Sequence, residues 1–285
     1  MNMKKLTLGI VAFASAVLLA ACGSNEKTEK AADKAESSKE KIVLATVGTT
    51  KPFSFEKDGN LTGYDVEVAK AVFEGSDKYE VEYKKTAWSS IFTGLDAGKF
   101  QMAGNNFSYS EERAAKYLYS APTATNPLVL AVNKDSGIKS IKDIAGKKTQ
   151  VVAGTSTASM LEKYNQASAD KATEINYTNE DITQMLTSVD GGKFDYKIFE
   201  TQSVKTIIED QGLNNIELIE FDAADLGADT NPYVYFIFAD GQDDLQKFVN
   251  TRIVELYEDG TLEKLSNEFL GGTYLPEEKD VKEAK

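Results

Sequence analysis

Histidine is absent and Cys22 is the only cysteine, so the reactive side chains are carboxylates, lysines, hydroxyls and two arginines, Arg113 and Arg252. Histidine-based triads, cysteine nucleophiles with a histidine base and zinc sites of the Cys/His kind are thereby excluded. Carboxylate, lysine or serine chemistry stays open, as does binding without covalent chemistry. Arg113 stands out. In Ser108-Tyr109-Ser110-Glu111-Glu112-Arg113, Ser110 suits an N-cap and the glutamates suit the positive end of a helix dipole. An arginine in that first turn costs about 0.3–1 kcal/mol unless something compensates. A chain that otherwise relies on lysine gains from arginine where a planar, two-pronged grip on a carboxylate is needed. The other local reading is a surface pair with a nearby acid. Glu200 ends the strand pattern Phe194–Phe199 and reads as a partner for a cation or as a helix cap. Gly154-Thr155-Ser156-Thr157 precedes the helical run Ala158–Tyr164. Its N–H groups can meet an anion or be capped by the hydroxyls, and the two readings are compatible. Trp88, the only tryptophan, lies on an apolar helical face and reads as core or as a stacking surface.

These residues need a scaffold. The 285 residues fit one large domain or two small ones, taking about 150 residues per domain, and 41% hydrophobic content suffices for a real core. Thirty-two Lys+Arg against 45 Asp+Glu leave a net charge of −13, which gives no basic field for a nucleic-acid partner. Lys4 and Lys5 precede the apolar run Leu6–Leu19, shorter than the ~20 residues a spanning helix needs and suited to a signal peptide over residues 1–21. Leu19-Ala20-Ala21-Cys22 is similar to the bacterial lipoprotein box, which implies diacylation of Cys22. An ordinary secretory signal with an incidental cysteine is the alternative. Two acyl chains would anchor the protein stably to the extracellular face of the cell membrane. Residues 22–40 lack the apolar content to fold and read as a tether, and residues 277–285 read as a charged tail with no core contribution.

Between these ends strand and helix patterns alternate. Ile42–Val47, Tyr79–Tyr83, Phe100–Ala103, Leu128–Val132, Gln150–Val152, Ile216–Phe221 and Tyr233–Phe238 read as strands. Val66, Ala69, Val72 and Phe73 form a helical stripe, as do Trp88, Ile91, Phe92 and Leu95, with Gly98 as a left-handed terminator. A helix–Gly–Lys–strand unit recurs at Ile141–Lys147 and at Met185–Phe194. This alternation predicts an α/β architecture with mainly parallel pairing, built as two similar lobes.

Six stretches carry a specific resemblance: Gly59–Ala69; Trp88 with Leu95 and Gly98-Lys99-Phe100; Ser108–Arg113; Ile141–Thr155; Gly192-Lys193-Phe194-Asp195; and Asp259–Leu265. In that order, over nearly all of residues 42–272, the chain resembles the extracellular solute-binding proteins of polar amino-acid ABC importers, family 3. The resemblance implies a two-lobe, periplasmic-binding-protein-like fold with two hinge crossings and a ligand cleft. Lobe 1 would be residues 41–124 plus 233–276 and lobe 2 residues 125–232, with crossings near Ala121–Pro127 and Thr230–Tyr233. It implies that Arg113 clamps the solute's α-carboxylate beside Ser108 and Asn106. Gly154, Thr155 and Ser156 would meet the same carboxylate, Glu200 would stand for the family's aspartate on the ammonium, and Trp88 would stack beside the ligand. Near Thr50 a large aromatic of many relatives is missing, as is an acid near Val47. The wall there is expected to be open and less acidic, and Lys51 either adds a positive charge at the entrance or is a solvated surface lysine. Cystine- and glutathione-type relatives look closest, and a cationic amino acid is disfavoured. The expected partners are an amino-acid-type solute, the permease and ATPase of an importer, and the membrane through the anchor. The protein would be a monomer without metal or cofactor. Scarce arginine beside abundant lysine points to a Gram-positive host. An adhesin or sensory lipoprotein, and an enzyme on the same fold, are the alternative functions.

Overall fold

The computed structural model describes residues 39–167, 169–227 and 231–283. The leader, Cys22 and most of the tether lie outside the described residues, as does Thr230. The described chain forms a mixed α/β fold of two lobes, each organised around one sheet.

The large sheet runs, in spatial order, Tyr79–Lys85, Glu40–Thr46, Met102–Phe107, Tyr233–Phe238 and Leu118–Tyr119, with Ala124–Thr125 also on Tyr233–Phe238. The second sheet runs Glu174–Tyr177, Lys148–Val151, Tyr196–Glu200, Leu128–Asn133 and Ile216–Ile219. Pairing is mixed rather than mainly parallel. Glu40–Thr46 pairs parallel with both neighbours, as does Lys148–Val151. Leu128–Asn133 and Tyr233–Phe238 pair only antiparallel. These two are the strands on which the chain enters its new sheet, so they run against strands joined by helical crossovers.

Both sheets are buried on both faces, which explains their near-continuous apolar runs. In Leu128–Asn133, Val129 and Ala131 face a cluster with Ile182, Leu186, Val204 and Ile207, while Leu130 and Val132 face Ile144, Leu161 and Ile198. Fully burying one such side chain contributes about 1.5–3 kcal/mol. In the large sheet Phe236 and Phe238 join a core with Ile42, Leu44 and Tyr64, and Ile237 points the other way toward Ala45 and Ile91. The Trp88–Asp96 helix packs there through its 3.6-residue stripe, with Trp88 and Phe92 at the margin. Gly94 in that helix lets the Phe100 ring approach to where a Cβ would sit, within 2.2 Å, and Gly98 (φ 64°) turns the chain out.

The charged tail does contribute to the core, which corrects the sequence expectation. Glu278–Glu283 is helical and its one large apolar side chain, Val281, is 1% exposed within the large-sheet cluster. Asp280 accepts from the Tyr233 hydroxyl at 2.5 Å and seats the helix. The chain leaves the large sheet through Asn126-Pro127 and returns ahead of Tyr233. The Asn126 N–H donates to the Pro232 carbonyl at 2.6 Å, so the two passages lie side by side.

Candidate functional site

Two chambers lie between the sheets' C-terminal edges and share Ser108, Ser156 and Glu200 in their walls. The Ser108 hydroxyl donates to Ser156 Oγ at 3.0 Å and so joins the walls. The larger chamber, about 860 Å³, has the solvent-exposed carboxylates Glu111, Glu112, Glu220 and Asp222 along it. The smaller, about 540 Å³, holds the buried polar groups and is the chemically distinctive one. Its first wall carries Val47, Thr49, Thr50, Trp88, Asn105, Asn106, Ser108 and Arg113. Its second carries Val152, Thr155, Ser156, Asn179, Glu180, Asp181, Met185, Phe199 and Glu200.

Arg113 follows Ser110, whose hydroxyl caps the short Glu111–Ala114 helix by accepting the Arg113 N–H at 3.2 Å. The guanidinium is buried over three rings, with its carbon 5.6 Å from the centroid of Trp88, 5.7 Å from Phe92 and 5.9 Å from Phe107. A weakly hydrated, planar cation suits such a shelf better than an ammonium would. It donates to the carbonyls of Ser108 (3.3 Å) and, across the cleft, Gly154 (3.1 Å). None of the ion pairs among the described residues involves it. A buried cation without a carboxylate partner can accept one at little desolvation cost beyond what is already spent.

Glu200 lies opposite, at the junction of Tyr196–Glu200 and the Thr201–Gln211 helix, and its side chain makes no capping bond. Glu200 is 6% exposed and its Oε2 has no partner. Burial pushes its pKa up to about 7, opposed by its own backbone N–H, Lys197 and Arg113. Lys197, beneath it in the second sheet, donates only to the Gln150 carbonyl (3.0 Å), and burial pulls its pKa down to about 8. Trp88 Nε1 and Asn106 Nδ2 are likewise buried and unpartnered. The small chamber therefore offers two unsatisfied donors and a cation on one wall and an unsatisfied carboxylate on the other. Unmet polar atoms of this kind are costly and call for a ligand of matching polarity.

Of the residues singled out in the sequence, Thr50, Trp88, Asn106, Ser108, Arg113, Thr155, Ser156 and Glu200 line this chamber. Gly154 reaches it only through its carbonyl on Arg113. Thr155 donates to Val152 O (2.8 Å) and accepts the Ala158 N–H (3.2 Å), capping the Ser156–Ala167 helix. Lys51 does not line the chamber: its ammonium pairs with Asp210 at 2.7 Å, near the end of the Thr201–Gln211 helix, in an exposed pair. The wall near Val47 and Thr50 carries no acid among the chamber's lining residues, and the chamber's acids lie on the second wall. There Glu180 and Asp181 accept from Gln150 Nε2 (2.9 Å) and the Gln184 N–H (2.9 Å). The Asp-x-x-Gln capping box at Asp181–Gln184 marked the helix start in the sequence but not its place in the cleft.

Comparison with known proteins gives a consistent result. The family model described as bacterial extracellular solute-binding proteins, family 3, matches residues 42–272. The L-cystine-binding protein TcyA of Bacillus subtilis is 31% identical over 279 residues, 94% of this chain and 98% of that protein. The probable amino-acid-binding protein YxeM of the same organism is 32% identical over 287 residues, 98% of this chain and 100% of its own. A solved structure from work on glutathione import in Gram-positive bacteria, via GshT and the cystine ABC importer TcyBC of Streptococcus mutans, superimposes with a TM-score of 0.81. It is 57% identical, covering 85% of this chain and 99% of that one.

Proposed function

We propose that this chain, which belongs to the bacterial extracellular solute-binding proteins of family 3, captures glutathione or cystine in its small chamber and delivers it to an ABC importer. The relatives are named for binding rather than for a reaction. Partners of the protein on this reading are a permease pair with its ATPase and, through an acylated Cys22, the outer face of the membrane of a Gram-positive cell. Among the described residues no helix is long and apolar enough to cross a membrane, and the proposed anchor supplies the attachment.

The observation that carries the reading is the sign of the unmet polarity. Arg113, Trp88 Nε1 and Asn106 Nδ2 on one wall suit carboxylate oxygens, and Glu200 on the other suits an ammonium. A free α-amino-acid head group has both. Glutathione adds a distal carboxylate and cystine a second head group, either of which fits a chamber of about 540 Å³. The 57% identity to the structure from the glutathione and cystine import system supports the same solutes.

A thermal-shift panel tests it. Glutathione or cystine should stabilise the protein more than arginine, histidine or glutamine at equal concentration. A ligand at 100 times its dissociation constant contributes about 2.7 kcal/mol, roughly 5–11 °C at the 2–4 °C per kcal/mol expected for a chain of this size. A largest shift from arginine or histidine would overturn the choice of solute.

A further inference from the structure

A hydrogen-bond relay joins Asn106 of the small chamber to the helix after Glu200 through Asn126, which lines the larger chamber. Asn106, at the end of Met102–Phe107, lines the chamber with a left-handed backbone (φ 52°), and its N–H donates to Asp65 Oδ2 at 2.6 Å. Its side-chain Oδ1 accepts from Asn126 Nδ2 at 3.0 Å, while its own Nδ2 has no partner. Asn126 lies in the first passage between the sheets, and its Oδ1 accepts the backbone N–H of Gln202 at 3.0 Å. Gln202 is in the first turn of the Thr201–Gln211 helix, two residues beyond Glu200. Asn106, Asn126 and Gln202 are 6%, 4% and 5% exposed, so water does not compete for these bonds.

The two ends of a carboxamide have the same shape and opposite hydrogen-bonding character, so its partners decide its orientation. A backbone N–H can only donate. The one on Gln202 draws Asn126 Oδ1 toward itself and turns Nδ2 to Asn106. Asn106 must then answer with Oδ1, which leaves its NH2 unbonded in the chamber wall. We infer that Asn126 is a positioning residue that makes Asn106 a hydrogen-bond donor to the solute, so the site demands an acceptor oxygen, from a carboxylate or carbonyl, at that point. Asn105 beside it is oriented in the same way. Its Oδ1 accepts the Val47 N–H (3.1 Å) and the Thr46 hydroxyl (3.2 Å), and its Nδ2 donates to Thr50 Oγ1 (3.2 Å). The inference rests on the solute-binding reading and specifies the polarity of one of its contacts.

Asn126→Asp and Asn126→Ser separate this role from simple packing. In Asn126→Asp one oxygen still accepts from Gln202, and the other faces Asn106 as an acceptor, so the Asn106 carboxamide must turn its NH2 away from the chamber. In the solute-free protein the Asn106 NH2 signals, assigned by their loss in Asn106→Asp, should move, and their solvent exchange should slow about tenfold as the NH2 becomes bonded. Asn126→Ser can accept from Gln202 but cannot reach Asn106, and should leave the NH2 exchanging no slower than in the parent. For binding, the probes are glutathione and its two monocarboxamides, each made by converting one carboxylate. The parent should prefer glutathione to the carboxamide whose altered group meets Asn106. Asn126→Asp should cut that preference by about tenfold or more, and Asn126→Ser should narrow it less. Unchanged Asn106 signals in both variants would overturn the inference, as would parental preferences in both. Failure of the parent to bind glutathione or cystine would sink the proposed function alone, because the solute-free exchange experiment still decides the relay.

Discussion

The two walls of the small chamber are built from the same kinds of element and differ in how their polar groups are committed. The first wall holds donors in reserve: Trp88 Nε1 and Asn106 Nδ2 are unpartnered, and Arg113 has no carboxylate partner among the described residues. The second wall has three carboxylates; Glu180 and Asp181 each have one oxygen engaged, by Gln150 and Gln184, and only Glu200 has an oxygen that is both buried and without a partner. Counting charges would make the second wall strongly attractive to cations. Counting buried, unpartnered atoms gives one acceptor there against two donors and a cation on the first wall. That pairing suits a head group that turns carboxylate oxygens to the first wall and an ammonium to Glu200.

The largest effect expected from breaking this asymmetry is at Arg113. Arg113→Ala should weaken glutathione or cystine binding by about 2–5 kcal/mol, because a desolvated carboxylate loses its charged partner. Arg113→Lys should recover only part, since an ammonium cannot reproduce the fork or spread over the three rings. Isothermal titration of both variants checks this. Near-parental affinity for Arg113→Ala would remove the carboxylate from the first wall.

Glu200 comes next, and here binding and stability should move in opposite directions. Glu200→Gln, or acetylation of the solute's amine, should cost about 2–3 kcal/mol of affinity, since an ammonium would face a neutral group across a dry gap. The Glu200 pKa is raised by burial to about 7 from an ordinary 4.5. Between those values the folded state holds a proton that the unfolded state has lost, so this group's contribution to stability falls as pH rises from 4.5 through 7. Glu200→Gln should therefore stabilise the solute-free protein at pH 8 by about 1–2 kcal/mol. A bound ammonium lowers that pKa, so binding near pH 6 should release close to one proton and binding above pH 8 almost none. Titration in buffers of different ionisation enthalpy reads this directly. Equal affinity for free and acetylated amines would make Glu200 a structural acid.

Trp88→Phe is a smaller probe of the first wall. It keeps an aromatic ring beside Phe107, which lies 5.2 Å from Trp88 between centroids, and removes Nε1 with part of the indole's area. The expected loss is about 1 kcal/mol of affinity, the usual net worth of one hydrogen bond. Because Trp88 is the only tryptophan, the parent's fluorescence should respond to solute and the variant's tryptophan signal should vanish.

How far the sequence showed this in advance depended on whether a residue's role is local. The Trp88–Asp96 stripe, the Ser110 cap and the conflict at Arg113 are written within one or two turns, and the structure reproduces the first two directly. The three-stranded sheet Thr49–Thr50, Ser54–Lys57 and Asn60–Thr62 escaped because its strands are too short for alternation to register. Val281 escaped because one apolar residue in a charged run has no periodicity at all. Glu180, Asp181 and Asn126 escaped for another reason: each looks like an ordinary capping or linking residue, and only the approach of the two sheets puts it at the cleft.

The smallest expected effect concerns the pair that bridges the two walls at the surface. Lys51 and Asp210 meet at 2.7 Å, with side chains 44% and 39% exposed. Water and salt screen a pair so exposed, and ordering two flexible side chains offsets much of its attraction, which leaves about 0–1 kcal/mol. The pair spans elements belonging to different sheets, so it favours whichever arrangement brings the walls together, without touching what lies between them. Asp210→Ala and Lys51→Ala should each change solute affinity by no more than about fivefold, and the double variant should match either single one, since both delete the same contact. Half-molar salt should erase the difference from the parent. A hundredfold loss in Lys51→Ala that Asp210→Ala does not share would return Lys51 to the solute. It would then be a second cation on the donor wall, and the solute would carry a carboxylate beyond the one held at Arg113.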